Sequence, residues 1–426
     1  MPVIRGLVVP VASPLPAGLL GLMADFRLLT NATVRHLLET HSTSKGAGSK
    51  FARNWALANR LTGQHAIVAA EIAISLARGH RHRVHRGLPS KIPYIRERFL
   101  RTRPQAFHLD LDSGKIRVSL RNGEWCSFFV HLAPYHRGRL QEPGVRLKQV
   151  QVSPDRAILF IERLAPEPYS PTSLVALDTN ERSMDGVSVT SNETQPVQID
   201  HSEIPRIQAV HFVRRRRLAR KKAHDRRVGR RLLRKEGVRE RHRVRSRLHV
   251  LTSHLIRVLV QHRASLALED LTRLPQVRRR GRRNDGRRTS PRFRRRLSSW
   301  PRRELHRQLE YKAQDHGVPV YWINPYRTSV TCPRCGEVRV LRSRAGPTFT
   351  CDHCGWALDR QLNAGVNVGR TALREIAELG GLRLDLDDLS RDARRPRYPF
   401  EASDGHGRNG GRGRDGSRNP AKRWGL

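Results

Sequence analysis

Four cysteines in two tight pairs constrain this chain more than any other feature. Each pair has the spacing Cys-x-x-Cys, 15 residues separate the pairs, and Gly336 and Gly355 follow them. Tetrahedral zinc is bound by four thiolates, and a glycine allows the backbone to turn sharply after each pair. The sequence therefore predicts a structural zinc site, with His353 as an alternative ligand and a metal-free redox quartet as the alternative function. The predicted ligands are Cys332, Cys335, Cys351 and Cys354.

The remaining cysteine, Cys126, lies alone, so the cysteines do not form a disulfide framework. This usage indicates a reducing, intracellular compartment. The uncharged stretch 6–23 is interrupted by prolines and is too short to span a bilayer. We therefore expect neither a signal peptide nor a membrane association.

The charge of the chain indicates its class of partner. Its 426 residues carry 82 Lys and Arg against 38 Asp and Glu, a net charge of +44. Self-repulsion at this charge disfavours a compact state unless a polyanion neutralises it. A nucleic-acid partner is therefore predicted, and a free-standing metabolic enzyme is disfavoured. A GC-rich genome would explain arginine in place of lysine, but not the excess of cations over acids.

One basic stripe is a candidate for phosphate contact. It lies in the first half of a helical region that spans residues 204–262. A solvated charged face is the alternative, and the charge density of the whole chain favours nucleic-acid binding. The predicted contact residues are Arg214, Arg215, Arg217, Arg220, Lys221 and Lys222.

Three acidic residues are candidates for a divalent metal site. Asp178 and Glu269 each close a short apolar strand, and Asp359 opens the segment after the second cysteine pair. Carboxylates at the ends of neighbouring strands, with one at a helix start, can converge on one rim, and Mg²⁺ prefers such oxygen ligands. Acids that follow strands also serve as turn or cap residues, which is the alternative.

Two expectations concern residues near these acids. Asp185, close to Asp178 in the sequence, is expected at the surface. Asn363 and Asn367 lie one helical turn apart and are expected to cap or pack the helix that Asp359 opens, rather than to contact substrate.

Three segments resemble the C-terminal signature of the transposon-encoded TnpB/OrfB family. They are Thr328–Gly336, Phe349–Gly355 and Asp359–Asn367. The helix before them, around Trp300 to Gly317, fits the same family, and the surroundings of Asp178 and Glu269 resemble its first two RuvC-like motifs. The resemblance covers residues 173–376, whereas the N-terminal half matches only in its order of elements.

The resemblance implies an α+β multidomain fold. An N-terminal helical bundle (13–102) is inserted in a small β-barrel (1–12 and 103–165). An RNase H-like, RuvC-like α/β nuclease domain follows (172–327 and 359–378), with an inserted zinc ribbon (328–358). Residues 379–426 are expected to form a basic low-complexity tail.

The resemblance also implies an activity. The chain would be a transposon-associated, RNA-guided DNA endonuclease, of a type that older descriptions call transposases. Asp178, Glu269 and Asp359 would form the catalytic, magnesium-binding triad. The implied partners are a guide RNA from the transposon end and double-stranded target DNA, in a cytoplasmic, nucleoid-associated prokaryotic protein whose oligomeric state the sequence leaves open.

Two departures from the family pattern concern cleavage. Gln361 stands where the family often has a second aspartate, and Thr179-Asn180 replaces the glycine that often follows the first aspartate. The alternatives are a miniature type V CRISPR effector and a nuclease-inactive, RNA-guided DNA-binding repressor. A DNA-rejoining transposase and a plain zinc-ribbon binding module are the remaining interpretations.

Overall fold

The computed structural model describes residues 2–392 with gaps at 122, 222–224, 226–227, 272–294, 296–298 and 339–346. Internal contacts divide the chain into two compact units, Met1–Ala165 and Pro166–Leu426. Within the described ranges, no helix is long and apolar enough to cross a bilayer.

The first unit begins with a strand and a helical bundle. Apolar residues recur at three-to-four spacing on its helices, so that Leu19, Met23 and Phe26 of the first helix are fully buried, as are Ala66 and Ala70 of the third. The elements are β1 (Pro2–Pro10), α1 (Ala17–Glu39), α2 (Lys45–Ala58) and α3 (Gly63–His85).

Two antiparallel sheets complete this unit. One has the order β1-β7-β6-β2 and the other β3-β4-β5, and a bridge between Val11 and Val130 links the segments that follow β1 and β5. The closed barrel stays a prediction, as do the domain boundaries. The elements are β2 (Leu100–Thr102), β3 (Phe107–Leu109), β4 (Lys115–Arg121), β5 (Glu124–Phe129), α4 (Pro134–Gln141), β6 (Arg146–Ser153) and β7 (Arg156–Leu164).

A five-stranded mixed sheet forms the centre of the second unit. Its order is β10-β9-β8-β11-β12; β8, β11 and β12 run parallel, and β9 and β10 run antiparallel to their neighbours. The carboxyl ends of β8 and β11 therefore lie at the same edge. The strands are β8 (Ser173–Thr179), β9 (Ser183–Val189), β10 (Thr194–Asp200), β11 (Ala264–Glu269) and β12 (Val320–Ile323).

Helices cover both faces of this sheet, which is why β8 has an uninterrupted apolar run at residues 174–177. Val175 and Leu177 pack with the three long helices that precede or follow β11, whereas Leu174 and Ala176 pack with the helix after the cysteines. The helices are α5 (Glu203–Lys221), a π-helical turn (Val228–Leu232), α6 (Leu233–Gln261), α7 (Arg302–His316), α8 (Arg360–Glu375) and α9 (Leu386–Asp392). A multidomain fold that mixes helices and strands is thereby confirmed.

The segment after α8 differs from the expected tail. Residues 379–392 belong to the second unit: Leu379 and Leu389 are buried, and Asp388 Oδ2 accepts a hydrogen bond of 3.3 Å from the backbone N–H of Thr194. Leucines interleaved with the acidic residues supply the apolar contacts that a disordered tail lacks. Residues 393–426 lie outside the described ranges.

Candidate metal and nucleic-acid sites

Asp178 and Glu269 lie side by side at the edge of the central sheet. Leu177 pairs with Leu268 in the parallel register of β8 and β11, so the next residue on each strand is one of the two acids. The alternation of each strand places both acids on the face that α8 covers. The structure thus brings together two of the three predicted triad residues, whose carboxyls are close enough for each to shift the pKa of the other.

Burial and like charge perturb the two carboxyls. Burial, and then the charge of Glu269, raise the pKa of Asp178 well above its ordinary value. Burial also raises the pKa of Glu269, although the hydrogen bonds from Thr328 and Asp178 work in the opposite direction. Two neighbouring carboxyls cannot both ionise at low cost, and a bound cation would lower that cost.

Neighbouring polar side chains fix the orientation of the acids. Thr328 Oγ1 donates a hydrogen bond of 2.5 Å to Glu269 Oε1. Asn180 Nδ2 donates to Asp178 Oδ2 at 3.1 Å and to Asp185 Oδ2 at 3.1 Å. Glu269 is therefore held by a residue distant in sequence, and Asp178 by a residue two positions further along the chain.

Asp185 is a member of this cluster that the sequence analysis missed, because we expected it at the surface. It is 3% exposed, lies opposite Asp178 in the pairing of β8 and β9, and accepts hydrogen bonds from Ser183 Oγ and Gln198 Nε2. The short connection between two apolar segments could have revealed it, because a hairpin register aligns residues equidistant from the turn.

Asp359 lies outside this contact. Its side chain is exposed, and Oδ1 accepts hydrogen bonds from the backbone N–H groups of Gln361 at 2.8 Å and Leu362 at 3.1 Å. Asp359 is therefore the N-cap of α8. Within the described ranges, the cysteines are the only group of three or more His, Cys, Asp or Glu side chains close enough to hold a metal ion.

The four cysteines converge as the sequence predicts. Their sulfur atoms all lie within 4.8 Å of one another, with 3.6 Å between Cys332 and Cys354 and between Cys335 and Cys351. The glycine after each pair has a positive φ, 82° at Gly336 and 70° after the second pair. Four thiols at this spacing suit tetrahedral zinc, and His353 is not part of the group.

The cysteine segment is packed into the second unit. Its strands, β13 (Thr348–Thr350) and β14 (Ala357–Asp359), pair antiparallel. Phe349 and Trp356 are buried with Cys332 and Cys351 in the core that also contains α8. The cysteine cluster therefore belongs to the same apolar core as the face of the sheet that carries the acid pair.

Two asparagines on α8 join this segment to the acids. Asn367 Nδ2 donates to the carbonyl oxygens of Thr328 and Thr331, both at 2.8 Å, and Asn363 Nδ2 donates to that of Thr331 at 3.1 Å. The same Thr328 holds Glu269. The asparagines thus pack the helix, which the sequence analysis favoured over substrate contact.

Comparisons with known proteins agree with this geometry. A family described as "Cas12f1-like, TNB domain" matches residues 303–368, which run from α7 through the cysteines into α8. TnpB-like protein MJ0751 of Methanocaldococcus jannaschii is 23% identical over 263 residues, which are 60% of this chain and 90% of the relative. The resemblance to the TnpB family is confirmed.

Shorter matches are to proteins named CRISPR-associated endodeoxyribonuclease. Cas12f1 of Syntrophomonas palmitatica is 35% identical over 60 residues, 14% of this chain and 12% of that protein. This chain shares its fold with a protein of a Cas12f1–sgRNA–target DNA complex (TM-score 0.57, 14% identity, covering 82% of this chain and 81% of that one). It also shares it with the mini-RNA-guided endonuclease CRISPR-Cas_phi3 (TM-score 0.54, 10% identity, 87% and 92% covered).

The basic stripe lies on α5, and its residues differ in their contacts. Arg215 forms an ion pair with Glu240 of α6, and Arg214 lies 3.8 Å from Glu236. Arg217, Arg220 and Lys221 are exposed, whereas Lys222 lies outside the described residues. The two arginines that pair with α6 help to hold the helices together, and the three exposed cations present charge to the solvent.

Proposed function

We propose that this chain is an RNA-guided DNA endonuclease that hydrolyses phosphodiester bonds of target DNA with magnesium. The observation that carries the proposal is the contact between Asp178 and Glu269 at the carboxyl edge of the central sheet. The relatives named Cas12f1 and TnpB-like protein support the same activity. A pair of buried acids on adjacent strands has no structural role in the core, because apolar residues would fill the same space at lower cost.

The donor chemistry of the pair fits a hard divalent cation. Both carboxyls offer oxygen ligands, and burial is the main cause of their raised pKa values. Asp178 and Glu269 would hold the metal, with Asp359 as the proposed third ligand through Oδ2, since its cap hydrogen bonds use Oδ1. Magnesium at such a site activates water and stabilises the departing 3′ oxygen.

The surrounding residues of the chain position the acids for this chemistry. Thr328 holds one oxygen of Glu269, which fixes the orientation of the carboxylate. Asn180 bridges Asp178 and Asp185, so that Asp185 is a positioning residue whose negative charge favours a cation nearby. The hydrolytic step needs all of these groups in place, because small displacements of reacting groups are costly.

The proposed partners are a guide RNA and double-stranded DNA. One structural neighbour is a complex with sgRNA and target DNA. Guide pairing would supply sequence specificity, and the protein would contact mainly the backbone, for which exposed cations such as Arg217, Arg220 and Lys221 are suited. We further propose that the RNA derives from the transposon end and that the N-terminal unit recognises a short DNA motif beside the target.

We also propose that the thiolates of the four cysteines bind a structural zinc ion.

Cleavage by the RNA-loaded protein tests the proposal. The purified complex should cut a guide-matched DNA only when Mg²⁺ is present, and Asp178→Ala should abolish cutting while the complex still binds its target. Asp112→Ala is the matched control, because Asp112 is an exposed acid in a turn of the first unit. Normal cutting by the Asp178→Ala complex would exclude the assigned site.

A nuclease-inactive, RNA-guided DNA-binding protein is the second candidate. The position of Asp359 outside the acid contact favours it, as does Gln361, which stands where the family often has a second aspartate. This candidate predicts target binding without Mg²⁺-dependent cutting in the same assay. Sequencing the RNA that copurifies with the chain separates transposon-derived RNA from the repeat-spacer guide of a miniature type V effector.

A further inference from the structure

A pocket of 540 Å³ opens beside the acid pair and contains none of the groups assigned above. Residues of three segments line it: the end of β11, the first half of α7, and β12. The lining combines cations, acids and an aromatic ring. It consists of Asp270, Leu271, Arg302, Arg303, His306, Arg307, Glu310 and Trp322.

The pocket and the acid pair share one edge of the sheet. Asp270 directly follows Glu269, and Thr179, which directly follows Asp178, is hydrogen-bonded to His306 through Oγ1 and Nε2 at 3.3 Å. Trp322 alternates with Ile323 on β12, so that its ring faces α7 on the opposite side of the sheet from the acids. A DNA strand whose scissile phosphate lies at the acids would therefore pass the sheet edge that this pocket shares with them.

The cationic part of the lining is suited to a phosphate. Arg302 and Arg303 lie in the first turn of α7, where the helix dipole also favours an anion. Burial, and then the charge of Arg303, lower the pKa of Arg302, so the two guanidiniums repel each other in the free protein. By contrast, Arg307 is engaged by both oxygens of Glu304, at 2.8 and 3.0 Å.

The aromatic part of the lining is suited to a base. Trp322 is 37% exposed, and one side of its ring contacts the His306 ring, with centroids 5.1 Å apart. His306 is buried and thereby fixes the indole, which lowers the entropy cost of stacking a base on it. Asp270 and Glu310 make the lining unsuitable for a second phosphate but compatible with the amino edge of a base.

We propose that this pocket binds one nucleotide of the DNA strand next to the scissile phosphate, with its base on Trp322 and its phosphate at Arg302 and Arg303. The proposal rests on the proposed function, since it assumes that the strand is cut at the acid pair. It adds a nucleotide-binding subsite on the far side of the sheet edge. The subsite would hold the flanking nucleotide and so fix the register of the strand over the acids.

A substrate scan tests the subsite. In the guide-loaded full-length complex, each nucleotide flanking the cut is replaced in turn by an abasic residue, and cleavage rates are compared for the unmodified protein and Trp322→Ala. At one position the abasic residue should slow cleavage by about 5- to 150-fold, the range for loss of one base–aromatic stack. Trp322→Ala should cause the same loss, and combining both changes should add nothing further.

Three variants control for folding and charge. Trp322→Phe retains a ring and should restore most of the rate. Trp125→Ala removes a tryptophan of matched exposure, 36%, in the first unit and should leave the abasic profile unchanged. Arg303→Gln should reduce the salt dependence of single-strand binding by about 0.7 log units per log unit of salt, whereas Trp322→Ala should leave that slope unchanged. If the abasic residue and Trp322→Ala each slow cleavage and their effects multiply when combined, the proposal is overturned.

A fluorescence experiment separates this proposal from the proposed function. The probe is a single-stranded DNA that carries 2-aminopurine, bound to the full-length Asp178→Ala protein, which cannot cut. Stacking should quench the probe, and adding Trp322→Ala should restore its emission. Quenching by the Asp178→Ala protein, together with an unmodified protein that does not cleave, would retain the subsite and exclude the nuclease. Cleavage by the unmodified protein without quenching dependent on Trp322 would exclude the subsite.

Discussion

Helix α8 approaches the backbone of the sheet closely at Gly365, which predicts that an alanine there is destabilising. A Cβ atom added at Gly365 would overlap the carbonyl oxygen of Asp185 and the Cα of Gly186, and would lie 3.0 Å from the carbonyl carbon of Asp185. These are backbone atoms of a central strand, so they cannot rotate away. In Gly365→Ala, α8 must therefore retreat by about 1 Å to reach ordinary van der Waals separation.

The expected cost follows from two opposing terms. Overpacking of this kind costs about 1–3 kcal/mol. Replacing a helical glycine by alanine returns about 1 kcal/mol of intrinsic helix propensity. The net loss is about 0–2 kcal/mol, and the clash with backbone atoms places Gly365→Ala near the upper limit, which for a unit of this size lowers Tm by about 4–8 °C. Because Asp359 is the N-cap of α8, the same 1 Å shift should lower the cleavage rate by about 100-fold.

Two other glycines provide matched controls. At Gly369 an added Cβ meets side chains, Val187 at 3.1 Å and Ala176 at 3.2 Å, so Gly369→Ala should cost less than half as much. At Gly237 of α6 the nearest neighbour is the flexible Arg241 at 3.6 Å, and Gly237→Ala should raise stability by about 0.5–1 kcal/mol. Thermal denaturation of the three variants measures the order. A Gly365→Ala protein as stable as Gly369→Ala would refute the close packing of α8 on β9.

Four further predictions concern the acids, the zinc and the basic stripe. Because the folded pKa of Asp178 is raised, its contribution to stability is complete below pH ~3.9, the unfolded pKa, and is lost as the pH rises through the folded value. In magnesium-free buffer that retains zinc, Asp178→Asn should therefore become more stable than the unmodified protein as the pH rises. Adding Mg²⁺ should raise the Tm of the unmodified protein but not that of Asp178→Asn. Parallel profiles of stability against pH for the two proteins would contradict the prediction. Asp359→Asn should retain the helix cap and Asp359→Ala should lose about 1 kcal/mol, while both lose cleavage; an Asn variant that cuts normally removes Asp359 from the triad. Cys351→Ser should release zinc and expose Trp356, which is 5% exposed, as a red shift of its emission; an unchanged spectrum would show that the core does not depend on the metal. Arg217→Gln should reduce the salt dependence of duplex binding by about 0.9 log units per log unit of salt, and an unchanged slope would place Arg217 outside the interface.

Local patterns in the sequence predicted the parts of the site that depend on local structure. The spacing of the cysteines produces two tight turns, and these turns bring the four sulfur atoms together. Apolar strands that end in an acid predicted the candidates Asp178 and Glu269. Their contact was a further step, because it depends on which strands pair and in which register, and these are decided by packing of the whole sheet.

The role of a residue could not be predicted from the sequence where its position suits two roles. An aspartate at a strand-to-helix junction is equally suited to cap the helix or to bind a metal, and only the structure shows the cap at Asp359. Asp185 looked like a surface residue because its burial arises from partners distant in sequence, such as Gln198. The pocket around Trp322 is likewise formed by three separate segments, so no single window of sequence contains it.

The double role of Thr328 has a consequence for anyone who builds chimaeras from this fold. In sequence this threonine is the first residue of the ribbon, yet its hydroxyl orients a carboxylate on the far strand and its carbonyl anchors Asn367. A ribbon transplanted at that apparent boundary would replace the host's residue at position 328 with the donor's, next to Glu269. Exchange points placed after Thr331 would instead keep the host's Thr328 and its hydrogen bonds to Glu269 and Asn367.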